Sequence, residues 1–568
     1  MARVPNTFII DMVHHNPGEK PFQTAFTDPN YLKDLGYNGQ CFKHLNTVMR
    51  FPSLNTITVP SDAENRWLEL WEVKLSDEIK RARDAGLKVF FHLDLFVLPR
   101  RIVDIFEDEI RDPGSNLISL RRPKTLELHS LLFAEMFDRF PDVYGIFPRI
   151  GETYLFDTPF HCGNGAVVYS GEQYSSGEIE EFTILLKFLR DEICEKHNRY
   201  VLHRTWDIEN NRFHSNPDFY LAVTDSIPPH ENLLFSIKHS HIDFHRYARW
   251  NPCLGVGQHR QVIEVQCQRE YEGKGAYPNF SSSGVIDGFP EMDEGNGLRS
   301  FMDHKLFAGI FSWSRGGGWH GPYLNRDNEF WIDINVRYLL KFLQHPKWDE
   351  QTLLINVFTV DLKMEDADAG ILYRIAKGSM DAVLKGKFCR AWDTRDGAQH
   401  DRFPTNQWMR DDVLGGLDLL EPVFLYLYKS SQIGQAIREK FESVHLWQEL
   451  VDESHKLSLA DHSELKSIIV GSCEHGLRLY SFIAYAWQTL LLAYKLKHGE
   501  SVCLDKIDSS LAVSDESWAW YCDLEQLYPK GGTLYRAHGW YWPNTQCPPG
   551  IGAALDDVRE LLTNKRTK

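Results

Sequence analysis

From residue 7 onward, short apolar runs alternate with longer stretches whose apolar positions recur every three to four residues. The runs are TFIIDM (from Thr7), GQCFK (from Gly39), KVFFHLDLFVL (from Lys88), YGIFPRIGE (from Tyr144), RYVLHRTW (from Arg199), LLFSIKHSHIDF (from Leu233), QVIEVQCQREY (from Gln261) and AGIFSWSRGGGW (from Ala308). Between them lie helix-patterned segments: LSDEIKRARDAG with its terminal glycine, TLELHSLLFAEMFDRF, EEFTILLKFLRDEICEKH and LRSFMDHKLF. Eight strand candidates alternating mostly with helices over about 340 residues predict a (β/α)8 TIM barrel with enlarged loops. A doubly wound open sheet would bring a glycine-rich phosphate turn after its first strand, and none is present. The triple glycine Gly316–Gly318 follows the last strand instead, where it predicts a close approach of backbone to a ligand.

Beyond about residue 345 the strand pattern fades. QIGQAIREKFESVHLWQELVDESHKL, SELKSIIVGSCEHGLRLYSFIAYAWQTLLLAYKLKHG and GAALDDVRELLTNK carry the 3.6-residue period of amphipathic helices. The division expected is a catalytic barrel over 1–345 and a mostly α-helical C-terminal domain over 346–568, with an aromatic, proline-rich segment, GWYWPNTQCPPG, near its end.

A length of 568 residues suits two or three domains, and 43% hydrophobic with 25% charged residues describes a soluble chain able to bury a large core. The net charge of −17, with no Lys/Arg block, argues against a nucleic-acid partner. Sixteen tryptophans are more than a core alone calls for, and indoles stack well on the apolar faces of sugars. The ten cysteines stand singly without a CxxC pair, which reads as reduced, buried thiols. MARVPNTFIIDMVHHNPG lacks the layout of a signal peptide, and the apolar run from Leu477 is interrupted by Arg478, Gln488 and Lys495, as in a buried helix and not a membrane span. A cytoplasmic protein is expected.

Active sites of this barrel gather at the C-terminal ends of the strands. Those ends carry His14 and His15, Lys43, His92 and Asp94, Arg149 and Glu152, then Arg204, Trp206 and Asp207. Lys238, His241 and Asp243 follow, then Glu270, and last Trp313, Arg315 and Trp319. Acids, cations and indoles in one ring suit a charged sugar: carboxylates move protons, cations hold an anion, indoles stack. Glu152, Asp243 and Glu270 are the candidate catalytic acids, since glycoside hydrolysis needs one protonated carboxyl and one carboxylate. Each residue has a plainer reading too. His14 and His15 can cap the first strand, His92 and Asp94 can pair beneath the site, Trp313 and Trp319 can be core, and Glu264 alternates inward as a buried acid. Two other functions stay open. One is a metal-dependent lyase or isomerase with His92, Asp94, His241, Asp243 and Glu264 as ligands; the other is a non-catalytic carbohydrate-binding barrel.

IKHSHIDF followed by VIEVQCQREYEG resembles the IK-N-G-P-x-DFQ and E-Q-x-x-QEY-x-G stretch of the family 67 α-glucuronidases. The resemblance covers about residues 140–345 with motifs, and the helical region by general layout. It implies a (β/α)8 enzyme, with no metal and no cofactor, that removes glucuronic acid or its 4-O-methyl ether from short xylo-oligosaccharides with inversion. It places the water-activating acids on Asp243 and Glu270, the general acid on Glu152 in PRIGETY, and a uronate-binding arginine on Arg204 in LHRTW. It also implies a homodimer formed by the helical region. Three departures point to a distant relative with an altered substrate. The family's additional N-terminal domain has no counterpart before the first strand. Pro148 stands where the family has a second uronate ligand, a lysine, for which Arg149 or Lys238 can substitute. His239, Ser240 and His241 replace N-G-P in the pocket wall.

Overall fold

The computed structural model describes residues 7–16, 22–167, 169, 171, 173–207, 211–292, 295–398, 408–459, 462–536 and 550–567. Eight parallel strands close into a barrel in chain order. They are β1 (Phe8–His14), β2 (Gly39–Lys43), β3 (Lys88–Asp94), β4 (Val143–Arg149), β5 (Tyr200–Arg204), β6 (Leu233–Lys238), β7 (Gln261–Gln266) and β8 (Phe307–Gly316). Outside them lie α1 (Pro29–Leu35), α2 (Asp62–Asp84), α3 (Pro123–Arg139), α4 (Ser176–Leu189), α5 (Pro217–Thr224), α6 (Ser281–Asp287) and α7 (Phe330–Gln344). Each apolar run read from the sequence overlaps one barrel strand. The segment LRSFMDHKLF differs from expectation: only Leu298–Phe301 is helical. The Phe301 carbonyl accepts the His304 N–H and the His304 carbonyl that of Phe307, so the chain is already turning into β8.

The inside of the barrel follows from the two-residue period of a strand. Phe8, Ile10 and Met12 of β1 meet Phe90, Phe147, Leu202, Leu234, Val262 and Phe311 in an apolar plug, with the Phe147 and Phe311 rings stacked 4.1 Å apart. Two residues further along, the same inward positions turn polar on every strand but β8, where Trp313 stands, which makes the plug the floor of a polar mouth.

Closure is irregular at one point. Met12 pairs with Trp313 but Val13 with Arg315, so Ser314 is an extra residue in β8. The buried Asp11 holds this bulge, accepting from Ser312 Oγ (2.6 Å), the Ser314 N–H (3.1 Å) and Ser314 Oγ (2.7 Å).

The C-terminal region is mostly helical, and α8 (Asp366–Lys387), α9 (Ile433–His455), α10 (Ser463–Lys497) and α11 (Leu504–Cys522) pack in succession. The apolar run from Leu477 lies in α10, where Phe482, Ile483, Trp487 and Leu491 are core. Among the described residues no helix is long and apolar enough to cross a membrane. This region meets the barrel through Tyr277 and Tyr480, whose hydroxyls are 3.0 Å apart, and through Trp331 Nε1, which donates to Ser472 Oγ at 2.7 Å. Cys41, Cys194, Cys253, Cys267, Cys389 and Cys473 are buried free thiols. Cys547 and the rest of the proline-rich segment, up to residue 549, lie outside the described residues.

Burial pushes the Asp11 carboxyl up to about 6, the serine donors offsetting only part of the effect. An acid held above its unfolded value binds its proton more readily when folded, so its contribution to stability falls as pH rises from about 4 to about 6 and is level above. Asp11→Asn should remove that fall: unfolding in urea should show the variant gaining up to about 3 kcal/mol on the wild type between pH 4 and pH 7.

Candidate active site

The pocket opens at the C-terminal end of the barrel, above Trp313, which stacks flat on His14 with ring centroids 4.5 Å apart. Its walls bring together Glu152, Asp243 and Glu270 with Tyr154, Trp206, Lys238, Tyr271, Trp319 and Arg410. A side lobe shares His14, Asn16 and Arg149 and continues to Lys43, His92 and Asp94. Burial, and then the charges of Lys43, Arg149 and Arg204, hold the His14 ring well below its ordinary value, in its neutral form.

Glu152 sits just past β4. A Cβ on Gly151 would lie 2.5 Å from Asp207 Cα, so only glycine lets the β4 and β5 ends touch and puts Glu152 beside Trp206. Glu152 Oε1 accepts from the Tyr154 hydroxyl (2.9 Å); Oε2 accepts from Trp206 Nε1 (3.3 Å) and Arg149 Nη1 (3.4 Å). The Arg149 fork grips Asp94 with Nε (2.7 Å) and Nη2 (2.9 Å).

Asp243 follows β6 and Glu270 follows β7. Lys238 Nζ donates to Asp243 Oδ1 (2.6 Å) from above the Trp206 ring, at 3.5 Å, and the Tyr271 hydroxyl donates to Oδ2 (2.6 Å). Burial alone would raise the Asp243 carboxyl, but the Lys238 charge and these donors outweigh it and hold it well below the carboxylate range. Glu270 goes the other way: burial, and then the Asp243 charge, push it up to about 8 against Lys238, Arg410 and Lys274. At neutral pH the pair holds one proton and one negative charge. The β7 loop is fixed by a fully buried ion pair, Arg269 Nη2 to Glu272 Oε1 at 2.6 Å, and Arg269 takes a left-handed φ of 58° immediately before Glu270.

The triple glycine serves close approach, to protein groups. A Cβ on Gly317 would lie 2.4 Å from Gln266 Nε2 and 2.6 Å from Glu270 Oε2, and one on Gly318 2.6 Å from Asp411 Oδ1.

Several expected ligands stand elsewhere. Arg204 is fully buried one layer below the pocket, forked onto Glu264 (2.9 and 3.0 Å) and 2.9 Å from His92 Nε2. Glu264 is the buried acid its alternation indicated. Arg315 points out of the barrel, because the bulge at Ser314 reverses the parity of β8; it pairs with Glu329 and Gln268. His15 alternates outward and packs on Phe22 with centroids 4.1 Å apart. His241 accepts the Arg249 N–H at 3.0 Å in the loop wall. Lys43 Nζ donates to the His15 carbonyl (2.6 Å) beside His14. The ligand set of a metal enzyme is dispersed over these partners, and among the described residues no three His, Cys, Asp or Glu side chains group to hold an ion.

Arg410 escaped the sequence reading. It reaches the pocket from the C-terminal region on a hairpin, Met409–Arg410 against Val413–Leu414. The only sequence signal is the polar run Arg410–Asp412 between apolar Met409 and Val413, in a region dominated by helical periodicity.

No family model matches the chain, and no curated protein does. Among solved structures it is similar to a GH138 enzyme targeting pectin rhamnogalacturonan II, at 12% identity over 99% of this chain and 85% of that one, with a TM-score of 0.60. A mutant of the Thermobaculum terrenum O-GlcNAc hydrolase matches at 10% identity over 98% of this chain and 94% of that one, with a TM-score of 0.40. At these identities the first likeness is one of fold: a closed parallel barrel followed by a mostly helical region. The glycoside hydrolase family it names is 138, and none of these comparisons singles out family 67.

Gly317→Ala should displace Glu270 and lower kcat about 10²-fold. Gly499, whose φ of 85° is equally left-handed but whose Cβ would meet nothing within 4 Å, supplies the control. Turnover and melting temperature of both alanine variants separate site distortion from backbone strain.

Proposed function

We propose that this chain is an exo-acting, inverting glycoside hydrolase that releases a uronic acid from short oligosaccharides, in the manner of an α-glucuronidase. The observation that carries the reading is one carboxyl from the β4 end, Glu152, sharing a pocket with two buried carboxyls, Asp243 and Glu270, from the β6 and β7 ends. In this scheme Glu152 gives its proton to the glycosidic oxygen as the bond from that oxygen to the anomeric carbon breaks. A water on the opposite ring face bonds to the anomeric carbon and passes a proton to the Asp243–Glu270 pair. Trp206 and Trp319 supply apolar plates for the sugar, and the cations of the wall supply the field for its carboxylate. The pectin-directed neighbour agrees with an acidic sugar, pectins being polyuronides.

The first test is proton NMR of the anomeric region during incubation with short α-uronosides derived from glucuronoxylan and from pectin, beside Glu152→Gln. The β-anomer of the free uronic acid should appear first, and the variant should lower kcat about 10²–10⁴-fold, less so for an aryl uronoside whose leaving group needs no proton. First appearance of the α-anomer would remove the water-activating role of the pair; no release from any uronoside would overturn the reading.

The proton on Glu270 gives a second test. Asp243→Asn removes the negative neighbour and frees the Lys238 charge, and both changes favour ionised Glu270. The titration near pH 8 in the kcat/KM profile of the wild type should therefore move to lower pH in the variant. An unmoved limb would separate Glu270 from Asp243.

A further inference from the structure

We infer that Arg410 is the residue that grips the uronate carboxylate, so that the C-terminal region completes the substrate pocket of the barrel. The inference rests on the uronidase reading and names the cation that reading requires.

Four cations of the barrel are paired with acids, and Lys43 is held by the His15 carbonyl beside His14. The Arg149 fork closes on Asp94, the Arg204 fork on Glu264 below the pocket, Lys238 on Asp243, and Arg315 on Glu329 outside the barrel. Arg410 stands in the pocket wall beside Glu270 and Tyr271, its guanidinium 4.9 Å from the Tyr271 ring centre and its Nε 3.5 Å from a carboxylate oxygen of its own neighbour Asp411. Its charge acts on both Asp243 and Glu270, so it lies within Coulomb reach of the reacting pair. A planar guanidinium matches a carboxylate in shape as well as sign.

The delivery of Arg410 is built at a cost that packing alone does not explain. The fully buried Lys387 donates to the Met409 carbonyl. Asp411 takes a left-handed φ of 53°, pairs with buried Lys274 at 3.5 Å and accepts the Trp319 N–H at 2.8 Å. Buried ions and a strained aspartate burden stability unless they position something. What they position is the side chain between them, together with the glycine loop that faces Glu270.

The test is equilibrium binding, independent of turnover. Calorimetry measures glucuronic and galacturonic acids against glucose and galactose, on the wild type, Arg410→Met and Arg410→Lys. The wild type should prefer the acid by about tenfold or more, Arg410→Met should bring acid and neutral sugar within about twofold of each other at unchanged neutral-sugar affinity, and Arg410→Lys should keep part of the preference. Preference retained in Arg410→Met overturns the assignment and leaves the uronidase reading standing. No preference in the wild type overturns both the assignment and the uronic-acid part of the reading, while hydrolysis itself is decided by the anomeric spectra. Melting temperatures check folding, and if Arg410→Met unfolds, an undiminished preference in Arg410→Lys overturns the assignment.

Discussion

A closed eight-stranded barrel leaves no choice about where alternate side chains go. Above the apolar plug the inward positions must still be filled, and here they are filled by charge. Charge in so enclosed a place is tolerable only when neutralised within hydrogen-bond distance. Arg204 with Glu264, Arg149 with Asp94 and Lys238 with Asp243 meet that condition, and each pair spans two strands or a strand and its loop. The mouth of the barrel is therefore a lattice of ion pairs, and the rest of the site hangs from it. Arg149 reaches Glu152 because Asp94 holds its other edge, and Lys238 lies over Trp206 because Asp243 anchors its ammonium.

The same lattice sets the protonation of the acids. Two donors fix the negative charge on Asp243; its charge and the surrounding burial then fix the proton on Glu270. Such groups are oriented before any ligand arrives, which is where electrostatic preorganisation draws its strength. The surrounding architecture, a closed parallel barrel followed by helices, is similar in fold to that of the GH138 enzyme over almost the whole chain.

The barrel was legible because its strands end in charge: Cys41 to Lys43, Phe147 to Arg149 and Leu234 to Lys238 each step from plug to mouth within a few residues. That arithmetic fails wherever the chain departs from it. Arg315 reads as a mouth residue until the extra Ser314 is counted, and a bulge has no signature in composition. Arg204 stands at a strand end, yet its fork closes on Glu264, the inward acid of β7, so it is spent on that buried partner and not on the pocket. The Glu152, Asp243 and Glu270 positions were read from motifs, and the structure brings all three to one pocket. Arg410 was beyond reach because its position depends on how two regions dock, which no local pattern encodes.

The docking of α10 has a consequence for the birth of the protein. Its middle is buried on nearly every side, and Tyr480 and Ser472 cover Tyr277 and Trp331 of the barrel region. A ribosome delivers the barrel strands first and this helix well over a hundred residues after β8, so the nascent barrel carries an uncovered apolar flank until late in synthesis. Chains cut short before Ser463 keep that flank permanently and also lack the helix that answers it. The barrel therefore depends on α10 to cover that flank.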